Sequence, residues 1–237
     1  MAPWKKEFIP SLITIPEGDF LMGSEDGMDN EKPAHRVWVD GFLLGEFPVT
    51  NGEYRIFVDE TAAQEPPFWP ETTFSHPDKP VVGVSWNAAV SYCEWLSEQS
   101  GKYFRLPTEA EWERAARGGK EGEKYPWGDE LLSETIYPGY DLETGGPERV
   151  GLHGHNGFGL YDIGASVHEW CSDFYDPNYY RISPKRNPQG PSSGLRKVSR
   201  GGSWCHHVKF SRCAARSSLA PAFEYADYGF RVAKSLE

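Results

Sequence analysis

The chain reads Arg-Leu-Pro-Thr-Glu-Ala-Glu-Trp-Glu-Arg-Ala-Ala-Arg-Gly-Gly from residue 105 to residue 119, and this stretch carries its clearest structural signal. Thr108 follows a proline and precedes Glu111 by three residues, which is the pattern of a capping box at a helix N-terminus. Gly118 and Gly119 are residues at which a helix can end. The stretch therefore predicts a short helix that begins after Thr108 and runs to Arg117.

Two further helices are predicted on the N-terminal side of this stretch. Thr50 is an N-cap for a helix that ends near Thr61, and Ser85 is an N-cap for one that ends at Gly101. Apolar alternation and turn residues predict short strands within residues 12–23 and 36–44. The proline-rich residues 62–82 are expected to form a long ordered loop, and no amphipathic helix is predicted beyond residue 120.

Composition points to an ordered chain with many turns. Of 237 residues, 25 are Gly and 19 are Pro, and aromatic residues make up 14%. The many helix-breaking Gly and Pro residues argue against a helical bundle. The aromatic side chains argue against disorder, because they supply a large buried core. We therefore expect one α+β domain, residues 1–237, with an irregular C-terminal half.

The charge and the cysteine content limit which classes of partner and which cellular compartment are expected. A net charge of −11 without a basic block disfavours nucleic-acid binding. No run of 18 apolar residues exists, so no membrane segment is expected, and the first residues lack the apolar core of a signal peptide. The four cysteines show no CxxC spacing, which favours a reducing, cytoplasmic location.

Eight strings in order along the chain resemble the sulfatase-modifying-factor family, whose namesake is the formylglycine-generating enzyme. They are Gly18–Ser24, Phe47–Asn51, Pro80–Trp86, Arg105–Gly119, Tyr125–Asp129, Asn156–Asp162, Arg200–Trp204 and Gly229–Arg231. The resemblance covers almost the whole chain. It implies a C-type-lectin-like formylglycine-generating-enzyme fold with little regular secondary structure and with bound calcium.

The resemblance implies a calcium site between Asp162 and Glu169. Their carboxylates, with the backbone carbonyls of Ala165 and Val167, would supply the hard oxygen ligands that calcium prefers. The family string Gly-Asn-Val-Trp-Glu-Trp becomes Ala-Ser-Val-His-Glu-Trp here, and the loss of Gly at residue 165 could constrain the turn. The alternative is that Asp162 caps a turn and Glu169 forms a salt bridge.

The resemblance also directs attention to Cys205. In the formylglycine-generating enzyme, two cysteines after the Gly-Gly-Ser motif hold Cu(I) and engage a substrate cysteine. Here Cys205 lies near the first of these positions, and the second has no counterpart. A copper pair with Cys213 requires the intervening loop to bring the two thiols together, and the alternative is that Cys205 is an ordinary thiol.

Three histidines form a second candidate metal site. His168 stands where the family carries a tryptophan beside the reacting centre, and His206 and His207 follow Cys205 directly. Imidazoles bind zinc, iron or copper. Because neighbouring residues of a strand point to opposite faces, at most one of His206 and His207 joins such a site easily. The alternative is a set of polar loop histidines.

The remaining candidates line the same expected pocket. Ser203, with Cys205, is the candidate catalytic residue, because the family places the serine of Gly-Gly-Ser at the oxygen-handling centre. The candidate substrate-binding residues are His168, Trp204, Arg216, Ser217 and Asp227. Arg216 has a structural alternative, which is to pair with Asp227 or Glu224.

Two functions are compatible with the sequence. The first is an oxygen-dependent metal oxidase, with copper or iron, that acts on a peptide or small-molecule substrate. The second is a binding module for a peptide, protein or small-molecule ligand, either a silent paralogue or a variable type. In the second, residues between Gly-Gly-Ser-Trp and Gly-Phe-Arg form the binding surface, and its aromatic side chains would contact the ligand.

Overall fold

Three helices form where the sequence places their caps. The computed structural model describes residues 9–129, 139–141 and 143–236. Thr50 and Thr108 each close a capping box, and Ser85 accepts a hydrogen bond from the first turn of its helix. The helices are α1 (Asn51–Thr61), α2 (Trp86–Ser100) and α3 (Glu109–Ala116). None of the described helices is both long and apolar enough to cross a bilayer.

Within the residues that the structure describes, ten short strands form three small sheets. The strands are β1 (Leu12–Ile15), β2 (Gly18–Met22), β3 (His35–Val39), β4 (Phe42–Gly45), β5 (Phe104–Arg105), β6 (His168–Phe174), β7 (Lys197–Arg200), β8 (Arg216–Leu219), β9 (Tyr228–Gly229) and β10 (Ala233–Ser235). Their orders are β1-β4-β10-β5, β2-β3 and β8-β7-β6-β9. The strands predicted within residues 12–23 and 36–44 are confirmed as β1 to β4. Much of the described chain between β6 and β10 is irregular, as expected.

The core is aromatic and also ionic. Trp112 on α3 and Trp170 on β6 are fully buried, in two adjoining apolar clusters. Beside them, Arg200 of β7 lies between Glu109 and Glu113 of α3 and contacts both carboxylates, at 3.0 and 2.6 Å. Because buried charges are tolerated only when they are paired and hydrogen-bonded, this cluster holds the third sheet in one position against α3.

Candidate functional site

Two of the candidate residues are brought side by side by a parallel strand pair. His168 opens β6 and lies opposite Tyr228 of β9. The His168 backbone N–H donates to the carbonyl of Asp227, the residue before β9, at 2.8 Å. The sheet therefore fixes the backbone of both His168 and Asp227, although 58 positions separate them in the chain.

A glycine loop after β7 brings His206 close to His168 and Asp227. Gly201 has φ of 79°, a left-handed conformation that suits glycine, and a side chain on Gly202 would meet Ser211 Oγ at 2.4 Å. The loop is held to the chain before β6, because the N–H of Gly202 donates to Gly164 and the N–H of Trp204 donates to Ser166. Only glycine fits this path, which ends in the turn that contains His206.

The side chains of His168, His206 and Asp227 converge into what we call the His–His–Asp cluster. His168 Nε2 lies 3.0 Å from His206 Nδ1, and His206 Nε2 lies 3.6 Å from Asp227 Oδ2. One potential ligand atom from each residue lies within 4.8 Å of the others. The structure thus joins a predicted metal-binding pair, His168 and His206, to a residue predicted to contact substrate.

The electrostatics of the cluster keep His168 neutral. Burial, with the neighbouring His206, lowers the pKa of His168 to about 3. Its Nδ1 atom is buried and makes no hydrogen bond, although backbone groups of Arg200 and Gly201 lie close enough to oppose the shift. Burial raises the pKa of Asp227, and His206 opposes that change. The buried imidazole of His168 is therefore uncharged, and it contacts His206 through Nε2.

Aromatic rings extend from the cluster to solvent on two sides. The ring centroids of neighbours lie 4.9 to 6.2 Å apart. We call this series the ring chain, and its members in order are Phe223, Tyr225, Tyr228, His168, His206 and Phe210. Phe223 and Tyr225 at one end are 51% and 50% exposed, and Phe210 at the other is 38% exposed. The buried His168 thus lies between two exposed aromatic ends.

Ser203, Trp204 and Ser217 lie around this centre. The Ser203 hydroxyl lies 3.4 Å from Cys205 Sγ, and Ser217 Oγ lies 3.5 Å from the hydroxyl of Tyr228. Trp204 is half-buried, stacks on Tyr140 and donates its indole N–H to the carbonyl of Ala226. Its indole therefore packs against the wall that carries Asp227.

The copper-thiolate pair does not fit the structure. Cys205 is exposed, whereas Cys213 has no exposed surface and lies within the apolar core beside Arg117 and Glu113. Burial raises the pKa of the Cys213 thiol to about 12. A copper ion needs two thiolates at one point, so the pairing of Cys205 with Cys213 considered from the sequence is not supported by their positions.

Native-state alkylation is expected to reach one thiol per chain. All four cysteines are free, and only Cys205 is exposed. Partial burial raises the pKa of the Cys205 thiol, so labelling by iodoacetamide should be faster at pH 9 than at pH 7.5. Mass spectrometry should find one adduct, which Cys205→Ser removes. Labelling of Cys213 in the folded protein would contradict the burial described here.

The two carboxylates among the predicted calcium residues, Glu169 and Asp162, both interact with Arg231. Arg231 Nε lies 3.0 and 3.1 Å from the two carboxylate oxygens of Glu169, and Trp112 donates to the same carboxylate. The positive charge of Arg231 also lowers the pKa of Asp162, against a larger rise from burial. The ion pair with Arg231 is the salt bridge that the sequence offered as the alternative role of Glu169. The calcium site stays a prediction.

The turn before β6 accommodates Ala165 without strain. Its left-handed positions are Asp162 and Gly164, at φ of 59° and 83°, rather than Ala165. Asp162 also accepts a hydrogen bond from the N–H of Gly151, which agrees with the turn-capping alternative. Val167 is fully buried. The change from Gly to Ala at residue 165 therefore has no conformational cost here.

Two other candidates lie outside the cluster. The guanidinium of Arg216 is buried and binds both oxygens of Glu109, not Asp227 or Glu224, so its donors are not free for a ligand. His207 is exposed, and its ring accepts a hydrogen bond from the N–H of Lys209. The structure therefore corrects both assignments: Arg216 holds the core, and His207 caps a 3-10 turn.

Tyr228 was expected from the sequence only as one of the aromatic residues of the binding surface, and the structure also packs it against His168. Its ring lies 4.9 Å from His168 and 5.0 Å from Trp170. The signal was present, since the family's Asn-Leu before Gly-Phe-Arg becomes Asp227-Tyr228 in this chain. The same two-residue change supplies both the carboxylate and the ring that packs on His168.

Comparison with known proteins identifies similar sequences over almost the full chain. The family described as the sulfatase-modifying factor enzyme 1-like domain matches residues 1–236. The formylglycine-generating enzyme of Streptomyces coelicolor is 34% identical, over 95% of this chain and 89% of its own length. The inactive C-alpha-formylglycine-generating enzyme 2 of Mus musculus is 30% identical, over 95% and 86%. The serine/threonine-protein kinase pkn1 of Chlamydia pneumoniae is 32% identical over 99% of this chain, which spans only 39% of that relative.

Solved structures agree with the fold. PvdO from Pseudomonas aeruginosa superposes with a TM-score of 0.84 at 27% identity, covering 98% of this chain and 97% of its own. Treponema denticola variable protein 1 gives a TM-score of 0.83 at 25% identity, covering 95% of both chains. The predicted fold class, α+β with the C-type-lectin-like formylglycine-generating-enzyme architecture, is confirmed.

Proposed function

The chain belongs to the family of sulfatase-modifying factor enzyme 1-like domains, and on that premise we propose that it is a ligand-binding member that does not carry out copper-thiolate oxidation. The observation that carries the proposal is the burial of Cys213, which leaves Cys205 as a single exposed thiol. The ligand would lie across the ring chain, over the His–His–Asp cluster.

The ring chain favours a peptide as the ligand. Exposed aromatic side chains lose water readily on binding and contribute rigid contact area, as they do in antibody paratopes. Here two exposed aromatic ends are separated by polar groups at the centre, His206 and Asp227. An extended peptide with an apolar side chain at each end and a polar group between them would match this order of surfaces.

The names and lengths of similar proteins are a less specific argument for a binding role. One similar structure is named a variable protein, and one similar sequence is named inactive. The match to the Chlamydia kinase covers less than half of that protein, so there the domain accompanies a further part of the chain. These names concern the relatives themselves, and each is compatible with a binding domain in this chain.

Peptide selection on the immobilised protein tests the proposal. A synthetic peptide enriched on the wild type should bind Tyr225→Ser at least about tenfold more weakly, since tyrosine anchors of an interface typically contribute about 2 kcal/mol and 1.4 kcal/mol corresponds to tenfold. Tyr103→Ser is the matched control, because Tyr103 is exposed but lies outside the ring chain. Equal affinity of wild type and Tyr225→Ser for every enriched peptide would overturn the assignment of this face.

An oxidase that holds its metal by histidine is the second candidate. The specific observation that favours it is the 3.0 Å approach of His168 and His206. An assay with a cysteine-containing peptide, oxygen and added copper or iron distinguishes the two candidates. We expect no aldehyde, as detected by hydrazide labelling. Aldehyde formation that is lost in Cys205→Ser or His206→Ala would establish the oxidase instead.

A further inference from the structure

We propose that His168, His206 and Asp227 form a binding site for one divalent first-row transition-metal ion. The proposal does not depend on the ligand-binding function above, because it concerns an ion held by this chain's own side chains. Two imidazoles and one carboxylate are a donor set that suits zinc or iron(II).

The donor atoms lie close to the separations of ligands that share one ion. Zn–N and Zn–O bonds are about 2.0 to 2.2 Å long and meet at roughly tetrahedral angles, so two such ligands lie about 3.3 to 3.6 Å apart. His168 Nε2 and His206 Nδ1 lie 3.0 Å apart, and the three residues offer one ligand atom each within 4.8 Å. Small side-chain rotations of His206 and Asp227, which are partly exposed, would aim all three at one point.

The backbone that carries the ligands is held before any ion binds. His168 and Asp227 are joined by a 2.8 Å backbone hydrogen bond next to the β6–β9 pair. His206 follows the glycine loop, and its own N–H donates to the carbonyl of Ser203 at 2.9 Å. A site whose ligands are positioned by separate, fixed elements loses less entropy on binding.

An unsatisfied buried nitrogen is the second, independent observation. His168 is 4% exposed, and its Nδ1 atom has no hydrogen-bond partner. Buried polar groups are satisfied in the large majority of cases, and exceptions often mark functional sites. A histidine ligand generally donates its second ring N–H to a carbonyl, and backbone groups of Arg200 and Gly201 lie beside this ring. Metal binding through Nε2 would set the tautomer for that bond.

The chain leaves room for an exogenous ligand on the ion. Three protein ligands are typical of zinc sites with an open position, whereas structural zinc sites use four. The half-exposed His206 and the exposed Cys205 and Phe210 border the cluster, so the open side faces solvent. A bound ion would therefore accept a water molecule or a donor atom of a ligand.

Zinc titration of the untagged, chelator-treated protein tests the proposal. Isothermal calorimetry should give one Zn²⁺ per chain, and Co²⁺ should produce visible absorption bands upon binding. His206→Ala and Asp227→Asn should each lower Zn²⁺ affinity by at least about 100-fold, more than the loss of an outer supporting partner typically causes. His206 is partly exposed, so its replacement can be checked for intact folding by circular dichroism, whereas His168→Ala alone could not separate folding from binding.

His207→Ala is the matched control, since it removes the adjacent exposed imidazole and should leave the zinc affinity unchanged. Absence of binding by the wild type at 100 μM Zn²⁺ would overturn the site. Stoichiometric binding that is unchanged in His206→Ala and Asp227→Asn would do the same, because the ion would lie elsewhere. The titration contains no peptide, so its failure leaves the peptide-binding proposal standing, and failure of peptide selection leaves the metal site standing.

Discussion

Replacement of Arg231 by methionine is expected to lower the free energy of unfolding by about 3–5 kcal/mol, the range observed when one partner of a buried ion pair is removed. Arg231 is fully buried and binds Glu169 on β6. It also donates to the backbone carbonyls of Gly45, Glu46 and Tyr161. The methionine would leave a buried carboxylate and three carbonyls without this donor.

Urea denaturation at pH 7 measures the effect. Arg36→Met is the matched control, because Arg36 is half-exposed and its pairs with Asp19 and Glu121 should contribute no more than about 1 kcal/mol. Adding Glu169→Gln to Arg231→Met should restore part of the lost stability, since the unpaired buried charge is then removed. A loss of less than 1 kcal/mol in Arg231→Met would show that the arginine does not hold the sheet of β4 to the sheet of β6.

Asp173 is expected to stabilise the folded protein by about 2 kcal/mol more at pH 5.5 than at pH 8. Asp173 lies on β6 and is 3% exposed, and its carboxylate accepts hydrogen bonds from the N–H of Glu109 and the hydroxyl of Ser172. Burial, together with the charge of Glu109, raises its pKa from 3.8 to about 7. The folded protein therefore holds this proton more tightly than the unfolded chain does.

The direction of this pH dependence follows from the higher pKa of Asp173 in the folded protein than in the unfolded chain. The contribution of Asp173 to stability is fully present below the pKa that its carboxyl has in the unfolded chain. It is lost as the pH rises through about 7, the pKa of the carboxyl in the folded protein. Asp173→Asn should flatten the change, because its amide oxygen still accepts from the N–H of Glu109 and carries no charge. Urea denaturation of both proteins at the two pH values isolates the contribution, and equal pH slopes would contradict it.

Local patterns predicted the helices well and the side-chain partners poorly. Thr50, Ser85 and Thr108 act within three residues of themselves, so their capping roles could be read from spacing alone. Arg216 was predicted to bind substrate, or alternatively to pair with Asp227 or Glu224, close in sequence, and instead it binds Glu109 on α3. Composition and spacing do not determine which distant carboxylate lies beside a buried arginine.

The same limit applies to the candidate site. His168, His206 and Asp227 were each selected from the sequence because they depart from the family's usual residues, whereas Cys205 was selected because it lies near a cysteine of the family. Their arrangement was not predictable, because it depends on the parallel pairing of β6 with β9 and on the path of the glycine loop after β7. The pairing of Cys205 with Cys213 fails for a related reason, since Cys213 is buried in the core.

The sequence by itself determined where helices begin and end and which family strings the chain carries, because caps and turns depend on residues within a few positions of one another. Only the tertiary structure decided which charges meet. Arg231 binds Glu169, one of the two carboxylates expected to hold calcium, and His206 lies 3.0 Å from His168. The physical reason is that burial requires every charge to find a partner, and that partner is set by the packing of distant elements.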